Sequence, residues 1–116
     1  MFAFGGCTAR LSDLQGSRTD TAALAAGDSG VQEVPSVFRL QNTSWAPIRV
    51  ESARVPIGTR IATEPTLPTT VKPGGTLEVT VVSKLRASEP PTARRILLET
   101  KGTEPLVLLV TPKVTE

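Results

Sequence analysis

The clearest pattern in the chain is an alternation of apolar and polar residues that follows a turn sequence. Residues 73–75 are Pro-Gly-Gly, which favours a tight turn because proline presets φ and glycine adopts positive φ at no steric cost. Residues 77–81 are Leu-Glu-Val-Thr-Val, so apolar side chains occupy every second position. A period of two predicts a half-buried β-strand, and its dry face requires a second sheet to cover it.

Five further segments have the composition of β-strands and are separated by turn residues. They are Val34–Asn42, Pro47–Ser52, Thr59–Thr63, Thr92–Thr100 and Pro105–Thr111. No window of 11 or more residues has the periodicity of a helix. Short strands with turn signals between them predict an all-β sandwich. We also expect Pro112 to limit the last strand, and Trp45 to plug one end of the core.

The first 30 residues differ in composition from the rest of the chain. Residues 8–30 are rich in Ala, Gly, Ser, Thr and Asp and offer little apolar surface to bury. We therefore expect an N-terminal arm or linker at 1–30 and a β-sandwich domain at 31–116. Within the arm, Leu11–Leu14 is compatible with one helical turn and Thr21–Leu24 with a weak edge strand.

The single cysteine, Cys7, follows a short apolar segment that ends in Gly5 and Gly6. Residues 1–7 resemble the last part of a bacterial lipoprotein signal, in which small residues precede the cysteine that receives the lipid. This resemblance makes Cys7 a candidate lipid-attachment site. The alternative is an ordinary thiol at a frayed terminus, since the chain has no second cysteine for a disulfide. No apolar run approaches the ~20 residues needed to span a bilayer.

Composition argues against several kinds of chemistry. The chain has no histidine, which excludes a Ser-His-Asp triad and any histidine-bearing metal site. Its acidic residues are dispersed, and the one glycine doublet of the expected domain, Gly74-Gly75, lacks the context of a phosphate-binding loop. The net charge is only +2, the basic residues are scattered and 3% of residues are aromatic, which argues against nucleic-acid binding. We expect no catalytic residue, cofactor or metal, and no enzymatic activity.

The order of the short motifs resembles a known group of domains. Its segments are Phe38–Asn42, Pro47–Val50, Val71–Gly74, Leu77–Val81, Ile96–Thr100 and Leu106–Val110. They resemble the immunoglobulin-like domains of the DUF1573, ASH (ASPM–SPD-2–Hydin) and major-sperm-protein group over residues 31–114. The resemblance implies an immunoglobulin-like, Greek-key β-sandwich of about seven strands with a binding or structural role, frequently in the bacterial envelope. Val55–Gly58 lies where bacterial DUF1573 domains often carry a Cys-Gly-Cys-like segment, so no metal or redox role follows from it.

One feature exceeds what a two-layer sandwich needs. The last two strands are apolar on both faces, although only one face of each strand is buried between two sheets. We predict a docking surface for a protein partner at Leu97, Val107 and Leu109, with Val82 as a further member. The alternative is that residues 22–24 or the crossover at 57–67 cover these side chains.

These observations predict a non-catalytic accessory or scaffolding subunit. It docks on a larger membrane or envelope complex through an apolar sheet face or an edge strand. We expect an extracytoplasmic location, periplasmic or at the outer surface, with membrane association through Cys7 or through the partner complex. Two alternatives are a structural or decoration protein of a phage or other particle, and a small-ligand-binding module.

Overall fold

The computed structural model describes residues 10–25, 30–88 and 92–115, and in these residues almost all regular structure is β-strand. A 3₁₀ turn at Leu11–Asp13 precedes the strands. The strands are β1 (Leu14–Gln15), β2 (Thr19–Ala25), β3 (Gln32–Asn42), β4 (Ile48–Val50), β5 (Ser52–Arg54), β6 (Thr59–Glu64), β7 (Thr69–Val71), β8 (Thr76–Leu85), β9 (Arg94–Glu99) and β10 (Leu106–Thr115). The all-β prediction is confirmed.

Two four-stranded sheets form the layers of the sandwich. The first sheet has the order β1-β3-β8-β6, the second has the order β2-β10-β9-β5, and β4 pairs with β7 separately. Only the β2–β10 pair is parallel among the described strands. This is the strand order of an immunoglobulin-type sandwich, with the first of its seven principal strands divided into β1 and β2 and the β4–β7 pair added.

The core lies between the two sheets and is built from aliphatic side chains. Phe38 and Leu40 on β3 are fully buried, as are the three alternating apolar residues at 77, 79 and 81 on β8. They face Ile96, Leu98 and Leu108 from the second sheet, which are also fully buried. Burial of each such side chain contributes about 1.5–3 kcal/mol, so this interior supplies most of the stability of the fold.

The segment expected to be a peripheral arm belongs to both sheets in its described part. Leu11, Leu14, Ala22 and Leu24 are at most 2% exposed and pack in the core. The boundary expected at residue 30 therefore does not separate an arm from the sandwich. The edge strand considered at Thr21–Leu24 is present as part of β2, but composition could not indicate its parallel pairing with the distant β10.

Gly16 makes the passage between the sheets sterically possible. β1 pairs with the end of β3 in the first sheet, and β2 then pairs with β10 in the second. Gly16 has φ of 152°, and a Cβ at this position would collide with the backbone carbonyl oxygen of Arg39. Only glycine allows both the dihedral angle and this close approach.

The last strand continues through Pro112, contrary to the expectation that it would end there. Its antiparallel pairing with β9 stops at Val110, opposite Arg94, whereas its parallel pairing with β2 continues to Thr115. The Leu109 N–H donates to the Arg18 carbonyl on the β2 side at 2.8 Å. Because the direction of the N–H alternates along a strand, residue 112 faces the other side, beyond the end of β9, and needs no donor there.

Trp45 does not plug the core, because its side chain is 72% exposed. The buried Asn42 holds this corner of the molecule instead. Its Nδ2 donates to the carbonyls of Ala46 at 2.9 Å and Val71 at 2.8 Å, and its Oδ1 accepts from the Ser44 N–H at 2.9 Å. The turn predicted at 42–44 is therefore fixed by hydrogen bonds to a buried amide.

Candidate partner-binding surface

Three of the four residues predicted to bind a partner lie together on the outer face of the second sheet. Leu97 on β9 is paired directly with Val107 on β10, and Leu109 follows two positions later on the same face. All three side chains are half-buried, while their neighbours Ile96 and Leu108 point into the core. We call Leu97, Val107 and Leu109 the outer stripe.

Polar residues border the outer stripe on the same face. Arg95 and Thr19 flank Leu109 on the two neighbouring strands, and both are exposed. Arg54 lies opposite Leu97, and its Nε is 3.5 Å from a carboxylate oxygen of Glu99. An apolar centre within a polar rim is the usual composition of a protein–protein interface.

The segments proposed as covers do not lie over the outer stripe. In β2, Ala22 and Leu24 are buried in the core, so they point to the inner side of the second sheet. The crossover enters the first sheet as β6, where Ile61 is packed against the core, and Ile57 before it is 97% exposed. The alternation of the sequence predicted the stripe, and the topology assigns both candidate covers to other positions.

Val82 is separated from the other three predicted residues. It lies on β8, on the outer face of the first sheet, between Pro35 and Arg60. The Arg60 guanidinium forms an ion pair with Glu33 at 2.7 Å, and this pair reaches from β6 to β3 across β8 beside Val82. The four residues therefore do not form one surface, because the two sheets turn their outer faces in opposite directions.

A surface pocket of about 560 Å³ opens at the Val107 end of the outer stripe. It is lined by Arg10, Arg18 and Glu104 among others. The Arg18 guanidinium is held in position by two hydrogen bonds, because its Nη2 donates to the carbonyls of Ser12 at 2.9 Å and Leu14 at 3.2 Å. The pocket thus extends the stripe with charged groups of both signs.

One acidic residue near the rim has a perturbed titration. The Lys101 N–H donates to the Glu51 carboxylate at 2.7 Å, and this hydrogen bond holds the pKa of Glu51 below its ordinary value of 4.5. Arg49, 3.5 Å from the same carboxylate, acts in the same direction. The bond connects the β9–β10 loop to the residue between β4 and β5, at the edge of the second sheet.

The remaining site predictions concern other parts of the chain. Cys7, the candidate lipid-attachment site, lies outside the described residues. Within residues 10–25, 30–88 and 92–115, no group of three or more His, Cys, Asp or Glu residues is arranged to hold a metal ion. The same part of the chain contains no helix with the length and apolar character needed to cross a bilayer.

The rim contains residues that sequence reasoning did not assign to the surface. Arg95 and Glu99 alternate with the buried residues of β9, so their outward direction has a local signal in the sequence. Arg54 carried no such signal, because its position opposite Leu97 depends on the pairing of β5 with β9. That pairing joins segments more than 40 positions apart and has no local trace in the sequence.

Comparison with known proteins gives a structural likeness without a relative in sequence. No protein-family model and no curated protein sequence matches the chain. The secreted serine protease VesC from Vibrio cholerae has a similar structure, with a TM-score of 0.64 and 10% sequence identity. The match covers 96% of this chain and 25% of that protein, so the chain spans a quarter of its length. At this identity the likeness shows the fold alone.

Proposed function

We propose that the protein is a non-catalytic docking module that joins a larger assembly through the outer stripe. The observation that supports this proposal is the position of Leu97, Val107 and Leu109 on an outer face, half-buried and bordered by polar residues. A β-sandwich does not need these side chains for its own core, because the opposite side of each strand already supplies it.

The physical gain on docking comes from removing the stripe from water. Burial of apolar surface contributes about 25 cal/mol per Å², and the direct Leu97–Val107 pair forms a continuous patch rather than isolated side chains. The rim then contributes specificity, since Arg95 and the Arg54–Glu99 pair must meet matching groups on the partner. Within this proposal the module is an accessory or scaffolding subunit.

The cellular setting belongs to the same proposal. The resemblance to immunoglobulin-like envelope domains favours a membrane or envelope assembly on the extracytoplasmic side. Cys7, or the partner itself, would hold the module at the membrane. Intact mass of the protein from its own cells tests this part: a diacylglyceryl group on Cys7 with residues 1–6 absent is the expected result, and an unmodified Cys7 contradicts lipid attachment.

The docking proposal is tested with two matched variants. Leu109→Lys introduces a charge into the outer stripe, and Val82→Lys introduces the same charge on the opposite outer face. We expect partner recovery from native cells to fall for Leu109→Lys and to remain for Val82→Lys, with both proteins melting near the wild-type Tm. Mass spectrometry of the recovered complex then identifies the partner.

Two results contradict the proposal. If Leu109→Lys lowers the Tm strongly and Val82→Lys does not, Leu109 is part of the structural core. If both variants recover the same partners as the wild type, the outer stripe is not the docking surface.

A further inference from the structure

β6 is the outermost strand of the first sheet, and its free edge carries backbone groups that β8 does not use. The Lys84 N–H donates to the Gly58 carbonyl at 2.9 Å. The backbone N–H and C=O groups of the even-numbered residues in this segment therefore point toward β8. Because the direction alternates in an antiparallel pair, Ile61 and Thr63 direct their N–H and C=O groups away from the sheet. The Thr59 N–H also points away, but it donates to the Pro56 carbonyl at 3.2 Å.

The charges on the outer face of β6 are incompletely matched. Glu64 lies directly opposite Glu78 on β8, and like charges in this position repel. Glu78 pairs with Arg39 at 3.0 Å, whereas no ion pair in the described part of the chain includes Glu64. Arg60, on the same face, bonds Glu33 through one Nη atom and has further donors in its guanidinium.

We propose that β6 pairs with β6 of a second copy of this chain, antiparallel and centred on Ala62. In this register Ile61 of each copy lies opposite Thr63 of the other, and their open N–H and C=O groups form four backbone hydrogen bonds. Arg60 of each copy then lies opposite Glu64 of the other. The first sheet of one copy and the first sheet of the other become one continuous sheet. Glu64, which faces the like charge of Glu78 within its own copy, gains Arg60 of the other copy as a cationic partner.

The sequence of β6 selects this register over its neighbours. A two-fold axis at Ile61 places Arg60 opposite Ala62, and an axis at Thr63 places Glu64 opposite Ala62. Only the axis at Ala62 brings the opposite charges together, twice, as a two-fold interface requires. Pro65 has no N–H and ends the ladder, so the interface is short and the association is weak.

The test is a charge exchange measured by sedimentation equilibrium from about 10 µM to about 1 mM protein at low salt. Arg60→Glu or Glu64→Arg alone replaces two attractions with two repulsions, and we expect the dimer Kd to rise about tenfold or more. The double variant Arg60→Glu/Glu64→Arg restores both cross-copy pairs and returns the Kd to within about threefold of the wild type. Arg49→Glu on β4, outside both four-stranded sheets, is the matched control, because it reverses the same charge in an exposed ion pair and leaves the Kd unchanged.

Stability measured on the same proteins separates association from folding. Glu64→Arg removes the repulsion with Glu78, so the Tm of this variant stays at or above the wild-type value while its association weakens. A wild type that remains monomeric at about 1 mM overturns the proposal, since even a weak interface associates in that range. A double variant that stays as weak as the single ones also overturns it, as does an equal effect of Arg49→Glu.

Discussion

The two outer faces of the sandwich follow the same alternation but differ in what occupies them. On the first sheet, ion pairs join the strands: Arg39 on β3 with Glu78 on the neighbouring β8 at 3.0 Å, and Arg60 on β6 with Glu33 on β3 at 2.7 Å across β8. On the second sheet, the outer stripe occupies the centre and the charges lie at its edge. The charged groups of the first face are at its centre, whereas the centre of the second face is apolar.

This difference shows how much of a sheet's surface can be predicted from the alternation of a single strand. Alternation determines which side chains point outward, whereas the neighbouring strands determine what surrounds them. Val82 and Leu109 occupy equivalent outward positions in their own strands. Val82 lies beside the Arg60–Glu33 ion pair, whereas Leu109 follows Val107, which is paired with Leu97. The character of a face is therefore a property of the sheet.

The largest expected effect comes from blocking the passage of the chain from the first sheet to the second at Gly16. Gly16→Ala adds a Cβ that collides with the Arg39 carbonyl, at a φ that L side chains rarely adopt. We expect a loss of about 3 kcal/mol or more in the free energy of unfolding, measured by urea denaturation.

Gly74→Ala is the control for Gly16→Ala. Gly74 also has positive φ, but a Cβ there has no atom within 4 Å, so the cost is limited to about 1–2 kcal/mol of backbone strain. Equal losses for the two variants would show that the collision with Arg39 does not matter.

Neighbouring leucines on β10 sharpen the comparison between inner and outer faces. Leu108 is fully buried between the sheets, so Leu108→Ala should cost about 2–5 kcal/mol. Leu109 is half-buried on the outer face, so Leu109→Ala should cost about 1 kcal/mol. Urea denaturation of both variants checks the difference, and a similar loss for both would place Leu109 in the core.

The smallest expected effect concerns acid at the edge of the second sheet. The hydrogen bond from Lys101 lowers the pKa of Glu51 in the folded protein below its ordinary value of 4.5. Its contribution to stability is therefore present above pH 4.5 and is lost as the pH falls through the lower folded value. We expect Glu51→Gln to have a slightly lower Tm than the wild type at neutral pH.

The pH series itself is the check on Glu51. The Tm difference between Glu51→Gln and the wild type should shrink as the pH falls below 4.5. A difference that grows in acid would mean that the bond from Lys101 does not stabilise the ionised carboxylate.

The sequence allowed the longer strands to be predicted because alternation is a local signal. The segment predicted at 34–42 lies within β3, and the central run lies within β8. The parallel pairing of β2 with β10 could not be predicted, since its small residues give weak alternation and its partner is distant. Pro112 was expected to end a strand because it lacks an N–H, and the sequence does not show that β9 stops before the position where that donor would be needed.

The candidate site also has a part that the sequence could indicate and a part that depends on the sheet order. Leu97, Val107 and Leu109 could be predicted, because a strand with two apolar faces has more apolar side chains than one core can take. Val82 could not be separated from them without the sheet order, which places β8 and β9 in different layers. The edge of β6 could be assigned only after its pairing with β8 was known.

The parallel pairing of β2 with β10 also affects when the molecule becomes complete. Thr19 pairs with Leu109, 90 positions later, so the second sheet cannot be completed until β10 has left the ribosome. Contacts between residues far apart in the sequence slow folding, and the apolar side chains of the strands made first stay exposed until their partners are synthesised. Val107 and Leu109 lie on β10, the strand that completes the second sheet. The outer stripe is therefore complete only in a molecule whose second sheet has already formed.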